Sequence, residues 1–181
     1  KLIRDVPKIR LLPGEAQREF VVSYALETAY LAAAGYPLRE AATLLLDCGL
    51  RPEELVTLPK ANVNLEQAIL RIGNGKTKNA RRTVPIPERS IDVLRLLFDF
   101  WPESAWVFPG RRNGRHLTVW GLDNLHAALR KAEHWPAELV LYSFRHTFGT
   151  RLAESGATPY QIMELMGHGD IRISQRYIHA S

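Results

Sequence analysis

LYSFRHTFGTRLAESG, residues 141–156, carries the most informative pattern in the chain. On a helix turning about 100° per residue, Leu141, Phe144, Phe148 and Leu152 fall on one stripe, which predicts an amphipathic helix with that stripe turned to a core. Tyr142, Arg145 and Gly149 fall together beside the stripe. A phenol and a guanidinium then project side by side over a residue without a side chain, where another group can approach the backbone closely. Two readings stand at this point. Arg145 is a surface arginine with its stem packed at the edge of the core and Tyr142 a half-buried packing residue, or this flank of the helix is a site.

Helical signals continue outward in both directions. On the C-terminal side, Thr158, Pro159 and Gln161 form a capping-box start and Gly167 supplies the stop. A last helix is expected to hold Ile171, Ser174 and Ile178 on one face. On the N-terminal side, one helical pattern runs from Thr118 to about Glu133 and another passes through Ile91, Leu94, Leu97 and Phe98. Between Leu58 and Pro87 the pattern changes. NVNL, AILRI and RTVPI, the last two separated by the turn-rich GNGKTKNA, predict a small antiparallel sheet with a hairpin. Ahead of it, LREAATLLLDC (38–48) predicts a helix stopped by Gly49, and Pro52 with Glu53 and Glu54 opens a short one. A first helix is expected from about Glu15 to Ala34, closed by Gly35 with Pro37 beyond. The expected fold is therefore mainly α with a small antiparallel β-sheet, in the α+β class, forming a single domain over 1–181.

The chain has 181 residues, and 24 Lys plus Arg against 19 Asp plus Glu leave a net charge of +5, which points towards a polyanionic partner. A composition that is 46% hydrophobic is that of a globular protein. No apolar run approaches the ~18 residues of a membrane span. The opening KLIRDVPKIR has no apolar segment of the signal-peptide type, and the single Cys48 can form no internal disulfide, so the expected compartment is a reducing cytoplasm. A first residue other than Met and an end at Ser181 give the expectation of a fragment of a longer protein.

The positive charge is not spread evenly. Residues 71–89 carry Arg71, Lys76, Lys78, Arg81, Arg82 and Arg89 against Glu88 alone. The hairpin is either a finger lying against phosphates or a solvated turn with charged edges. RRNGRH at 111–116 is open to the same two readings. In LMGHGDIRISQRYIHAS (165–181), His168 follows a helix-terminating glycine and Tyr177 comes nine residues later. Alone, such a histidine caps carbonyls and such a tyrosine packs in a core. What changes the balance is their order of appearance: an arginine after a capped helix, lysines on a hairpin, Tyr-x-x-Arg, Gly-His and a C-terminal Tyr.

With these segments the chain resembles the tyrosine recombinase (phage integrase) family over nearly the whole catalytic domain. The matching stretches are DCGLRPEEL (47–55), GKTKNARRTVPI (75–86), YSFRHTFGTRL (142–152), LMGH (165–168) and RYIH (176–179). The resemblance implies that Arg51 and Arg145 bind the scissile phosphate, that Lys76 is the hairpin lysine, that His168 is the later histidine and that Tyr177 is the nucleophile. Lys78 remains an alternative to Lys76. Glu54 matches the acidic residue that supports the first arginine, and Lys78, Arg81 and Arg82 would contact DNA. The chain departs from the pattern at one place: the second box normally opens with histidine, and here that position is Tyr142, expected to act as a hydrogen-bonding substitute. His146 matches a family position usually assigned to structure. The helical DNA-clamping domain that usually precedes this one has no counterpart in 1–181.

The implied activity is site-specific cleavage and rejoining of duplex DNA through a 3′-phosphotyrosyl intermediate. Fixed, bidentate guanidiniums suit the charge that builds on the nonbridging oxygens, and a lysine suits protonation of the poor 5′ leaving group. The phosphotyrosyl bond conserves the energy of the phosphodiester, so no cofactor and no metal is expected. The resemblance further implies double-stranded DNA as partner, a homotetramer around two duplexes with a monomer for the isolated domain, no membrane, and a place with the nucleoid. A metal-dependent phosphodiesterase fits poorly, because the six histidines show no His-x-His spacing and there is no cysteine pair. A catalytically inactive DNA-binding module of the same fold is the alternative, and a type IB topoisomerase would share the chemistry.

Overall fold

The structure is a computed structural model that describes residues 20–73, 81–111 and 114–179. Its centre is the helix read from LREAATLLLDC, here α2 (Leu38–Cys48), in which eight of the eleven residues are buried. A helix enclosed on so much of its circumference must be surrounded, and α2 packs against α1 (Tyr24–Ala33), α3 (Pro52–Val56), α4 (Glu88–Phe100), α5 (Val119–Ala132) and α6 (Leu141–Glu154). Gly49 ends α2 in the left-handed conformation, at φ +59°, donating its N–H to the Leu45 carbonyl. A Cβ there would stand 2.2 Å from the Phe148 ring, so the cap needs glycine for space as well as for its backbone angle. Cys48 is buried beside this cap, and desolvation pushes its thiol up to about 12, leaving it a packing residue.

The sheet has the order β1 (Val63–Asn64), β2 (Ile69–Ile72), β3 (Arg82–Pro85), and every pairing is antiparallel. Leu70 lies opposite Val84 and Ile72 opposite Arg82, and Leu70, Ile72 and Val84 are buried. Two-residue alternation places Arg82 on that same inward face, while Arg71 and Thr83 pair on the exposed one. β3 packs against α7 (Pro159–Met166), whose N-terminus carries the expected capping box: Thr158 Oγ1 accepts from the Gln161 N–H and Gln161 Oε1 from the Thr158 N–H. A smaller cluster of Ala153, Ile162, Met166 and Tyr177, joined by Phe148 and Leu152, binds α6, α7 and α8 (Ile171–His179) together. The mainly α architecture with a three-stranded antiparallel sheet is the one expected.

Two elements differ from the reading of the sequence. The first helix was expected from about Glu15, but residues 20–23 are not helical and α1 begins at Tyr24. A distant contact decides this: the buried Val22 donates its N–H to Thr147 Oγ1 on α6 at 2.8 Å, which holds the chain out of helical hydrogen bonding until Ser23 caps the Leu26 N–H. In α8 the buried positions are Ser174 and Tyr177, whereas Ile171 and Ile178 are exposed. Of the face expected to hold Ile171, Ser174 and Ile178, only Ser174 is buried. The inward face is set instead by a hydrogen bond from Ser174 and by the seat of Tyr177 on α6.

Charged groups tie the helices together on the side of Arg89. Glu27, buried on α1, binds Arg89 of α4 at 2.7 Å and Arg151 of α6 at 2.6 Å, and Asp47 of α2 binds Arg89 and Ser90. Burial alone would raise the Glu27 carboxyl, yet the two guanidiniums hold it below its ordinary value. Arg151 also covers the Tyr24 ring at 4.2 Å from its centroid.

A buried polar chain links α1 and α5. His126 Nε2 bonds the Leu139 carbonyl at 2.8 Å and must donate there, so Nδ1 accepts from the Tyr30 hydroxyl at 2.9 Å. Burial, followed by Arg130, lowers the His126 pKa, against the opposing pull of the Leu139 carbonyl. The unfolded imidazole takes up a proton near pH 6.5, and the folded one resists it, so stability from this group is present above that pH and declines below it. We expect the free energy of unfolding to fall by up to about 1.4 kcal/mol per pH unit below about 6.5 on account of His126. Denaturant unfolding of the parent and His126→Gln between about pH 7 and pH 5 checks it; parallel curves for the two proteins would show that His126 carries none of the slope.

Candidate active site

Three helix ends and one strand converge on Glu54. The cap at Gly49 sends the chain through buried Leu50 to Arg51, the residue that opens α3. One turn on, Glu54 reaches back and accepts the Arg51 N–H at 2.8 Å, an arrangement that fixes its carboxylate at the start of the helix. That carboxylate also takes Arg51 Nη1 at 2.7 Å and both terminal nitrogens of Arg82, at 2.9 and 2.8 Å, with Arg145 Nη1 3.9 Å away.

The last carbonyls of α7 and its cap hold the same three guanidiniums. Leu165 O accepts from Arg82 Nε at 2.8 Å, Met166 O from Arg145 Nη2 at 2.6 Å and Gly167 O from Arg51 Nη2 at 2.8 Å. Arg145 Nη1 donates in addition to Gly49 O, the cap of α2. Carbonyls left over at a helix C-terminus are partly negative and need donors, so cations from elsewhere in the fold meet that need. The side chains of Arg82 and Arg145 are 5% and 6% exposed, and Arg51 is the open one at 31%.

Electrostatics follow from this crowding. Burial would raise the Glu54 carboxyl, but Arg82 and then Arg51 drive it down to about 2. Burial and the neighbouring Arg51 lower Arg145 to about 10, which still leaves it charged at neutral pH. Three guanidiniums against one carboxylate leave two positive charges uncompensated. His168, placed after the α7 cap, shares a 2.8 Å hydrogen bond between Nδ1 and Ser174 Oγ. Desolvation, then Arg145, Arg51 and Arg82, lowers it to about 4, so it stands as a neutral imidazole at pH 7.

Tyr177 closes the group. Its ring is parallel to that of His168, at 6.1 Å between centroids, and lies 5.1 Å from the ring of His146. Gly149 is the floor beneath it: a Cβ there would come within 2.6 Å of Tyr177 Cε1, 2.7 Å of Cζ and 2.8 Å of Met166 Sδ. Tyr177 is 9% exposed, and burial raises its pKa while Arg145 and Arg176 pull it down. A cleft of about 550 Å³ lined by Arg81, Arg82, Thr83, Tyr160, Leu165 and His168 opens beside the cluster. A second groove, of about 560 Å³, runs past Arg111, Arg115, His116 and Trp120 and contains none of these residues.

The structure thus gathers Arg51, Glu54, Arg145, His168 and Tyr177 in one place. Lys76 and Lys78 lie outside the described residues, and Arg81 is exposed ahead of β3. Arg82, expected as a DNA contact, is turned inward by strand alternation, and its guanidinium binds Glu54 and Leu165 O. Tyr142 stands at the start of α6 with 55% of its surface exposed. Sequence reasoning missed Ser174 as the partner of His168 and His146 as a neighbour of Tyr177. Both were legible only as spacing, Ser174 three residues before Tyr177 and His146 four after Tyr142. Among the described residues no group of three or more His, Cys, Asp or Glu side chains is placed to hold a metal ion, and no helix is long and apolar enough to cross a membrane.

Known proteins resemble this chain in sequence and in fold. The chain is 27% identical along its whole length to a tyrosine recombinase XerC of Leptospira interrogans, covering 57% of it, and 33% identical over 75% of its length to a tyrosine recombinase XerD of Rhizobium meliloti, covering 45%. It spans about half the length of the curated relatives it matches. Among solved structures, the Tn1549 transposon integrase in complex with circular intermediate DNA superposes with a TM-score of 0.81 at 20% identity, over 92% of this chain and 64% of that one. The description Phage integrase family fits residues 18–181, and with the fold in agreement, the chain belongs to the phage integrase family.

Proposed function

We propose that residues 1–181 form the catalytic domain of a site-specific recombinase that breaks and rejoins duplex DNA by transesterification, with Tyr177 attached to the 3′ phosphate in the intermediate. The observation that carries this reading is the charge of the cluster. A phosphodiester brings one negative charge and the attacking phenolate a second, so the pentavalent transition state needs two positive charges, the number that Arg51, Arg82 and Arg145 leave beyond Glu54.

Each terminal nitrogen of Arg51 and Arg145 that is bound to protein carries a second hydrogen. These free N–H groups hold the nonbridging oxygens, while Arg82 and Glu54 keep the two guanidiniums fixed and act as positioning residues. Neutral His168, oriented by Ser174, donates one further hydrogen bond. Tyr177 attacks phosphorus, and Lys76 on the hairpin protonates the leaving 5′ oxygen, Lys78 being the alternative donor. No step draws on a metal or an organic cofactor. The partner is double-stranded DNA, cut in a homotetramer of four protomers on two duplexes, in the cytoplasm with the nucleoid.

The deciding experiment incubates the protein with nicked suicide duplexes tiled from the replicon that encodes it, followed by denaturing electrophoresis. A covalent protein–DNA band is expected. Retained DNA binding with no covalent band from any duplex would favour the inactive DNA-binding module instead. Tyr177→Phe keeps the ring and loses the attacking oxygen, so binding is expected to survive while the band disappears; a band that persists would mean that another residue attacks.

Loss of one charge-assisted contact to the transition state commonly costs ~2–4 kcal/mol. Arg145→Ala is accordingly expected to slow adduct formation by about two to three orders of magnitude, and Arg145→Lys to restore little of it, lacking the planar fork. Cleavage within about tenfold of the parent, by a variant with an unchanged unfolding transition, would remove Arg145 from the site.

Gly149→Ala places a methyl where Tyr177 and Met166 now touch α6. The ring must shift, and adduct formation is expected to fall by about tenfold or more, since small misplacements of a nucleophile are costly. DNA binding should be unchanged. Parent-like adduct yield in Gly149→Ala would show that this seat of Tyr177 is not the reactive one.

A further inference from the structure

His168 is held from two sides. Its backbone follows the left-handed cap of α7, where Gly167 and His168 both donate their N–H groups to the Met163 carbonyl, and its side chain is held from α8, where Ser174 Oγ lies 2.8 Å from Nδ1. Ser174 is completely buried, and among the described residues its hydroxyl has no hydrogen-bond partner besides that nitrogen. A buried hydroxyl with a single partner satisfies its proton only by donating to that partner. Oγ–H therefore points at a bare Nδ1, and the proton of the neutral imidazole sits on Nε2. The opposite assignment, Nδ1–H donating to Oγ, leaves the hydroxyl proton buried without an acceptor.

We propose that Ser174 is a positioning residue for DNA cleavage: its hydroxyl holds His168 as the Nε2–H tautomer, so that the imidazole meets the scissile phosphate as a hydrogen-bond donor and does not serve as the base for Tyr177. The inference rests on the recombinase reading of the site and adds to it the nitrogen that donates and the group that selects it. The one ring lone pair able to accept a proton is on Nδ1 and is occupied by Ser174, so none is left for the phenolic proton of Tyr177. Nε2 has no hydrogen-bond partner among the described residues, and His168 lines the cleft of about 550 Å³ beside Arg81 and Arg82.

The surroundings make the choice of tautomer matter. Burial, then Arg145, Arg51 and Arg82, keeps the imidazole neutral at pH 7, so the ring has a single proton to place. Placed on Nδ1, it would leave a lone pair at Nε2 facing the oxygens of a bound phosphate, a repulsive contact where the other tautomer makes an attractive one. Ser174 and Tyr177 share α8 but rest on different supports: the serine bonds His168, while the Tyr177 ring sits on Gly149 and Met166. Removing the Ser174 hydroxyl therefore acts on the imidazole and leaves the seat of the phenol in place.

Two measurements test the assignment. A long-range proton–nitrogen correlation spectrum of the nitrogen-15-labelled protein near neutral pH reads the tautomer of each histidine, with His168→Gln identifying the signals of His168. Nε2 is expected to be protonated and Nδ1 bare in the parent, and Ser174→Ala to convert this pattern into a mixture of tautomers. Rates of adduct formation are then compared for the parent, Ser174→Ala, Ser174→Thr, His168→Gln and the double variant Ser174→Ala/His168→Gln, with Tyr177→Phe as blank and thermal unfolding as the check on folding. Loss of the donor in His168→Gln is expected to cost about 100-fold and Ser174→Ala about tenfold. Ser174→Thr, which keeps the hydroxyl, should restore most of that loss, and Ser174→Ala should cost nothing further once His168 is gone. A parent spectrum with Nδ1 protonated overturns the proposal even if no variant folds. So does a Ser174→Ala rate equal to that of the parent, or a Ser174→Ala loss that is as large without His168 as with it, the behaviour of a residue that only packs α8. A parent that makes no adduct with any duplex is a different outcome: it removes the recombinase reading itself, and this inference with it, whatever the spectrum shows.

Discussion

Holding three guanidiniums around one carboxylate is the constraint on which the site and much of the fold depend. Two like charges 4 Å apart repel by about 4 kcal/mol at an effective dielectric of 20, so Arg51, Arg82 and Arg145 cannot be brought together by packing alone. Glu54 relieves part of the repulsion. The rest of the holding comes from oxygen atoms the fold places there, the Gly49 carbonyl ending α2 and those of Leu165, Met166 and Gly167 ending α7. Each helix has to stop where it does for its carbonyls to be available. Gly49 therefore matters to the site twice, as the cap that ends α2 and as the turn that delivers Arg51 two residues later.

The proposed nucleophile is tied to the same construction. Tyr177 rests on Gly149 of α6, four residues from Arg145, and beside Met166, whose carbonyl holds Arg145. Ser174, one turn before Tyr177 on α8, orients His168. A rotation of α8 would therefore unseat the phenol and release the imidazole together. This coupling explains why α8 exposes Ile171 and Ile178 in favour of burying a serine and a tyrosine: the contacts that fix its face are a hydrogen bond and a close ring-to-backbone approach, which hydropathy does not report.

Much of the fold was legible where local chemistry decides. Gly49, Pro52, Thr158 with Gln161, and Gly167 mark helix ends because caps act within a few residues, and the boundaries of α2, α3 and α7 follow them. What the sequence could not show depends on partners far along the chain. The start of α1 is set by Thr147, more than a hundred residues away. The choice between Arg81 and Arg82 as the inward arginine is a matter of strand register, which inverts with a slip of one residue. His146 was read as structural because it matches a family position usually assigned to structure, while its neighbour Tyr177 comes from another helix.

Charge balance separates the two ion clusters described in this chain. On the Arg89 side, Arg89 and Arg151 meet Glu27 and Asp47, two cations for two anions, and the network closes on itself while tying α1, α2, α4 and α6. Around Glu54 the count does not close: three cations face one anion, and Arg145 is lowered first by burial and then by Arg51, with Glu54 opposing. A fold under selection for stability alone would add a second acidic residue or drop an arginine, since uncompensated buried charge costs several kcal/mol. On the proposed function the arriving phosphate completes the excess, and the placement of the cluster against Tyr177 sets where that phosphate would sit.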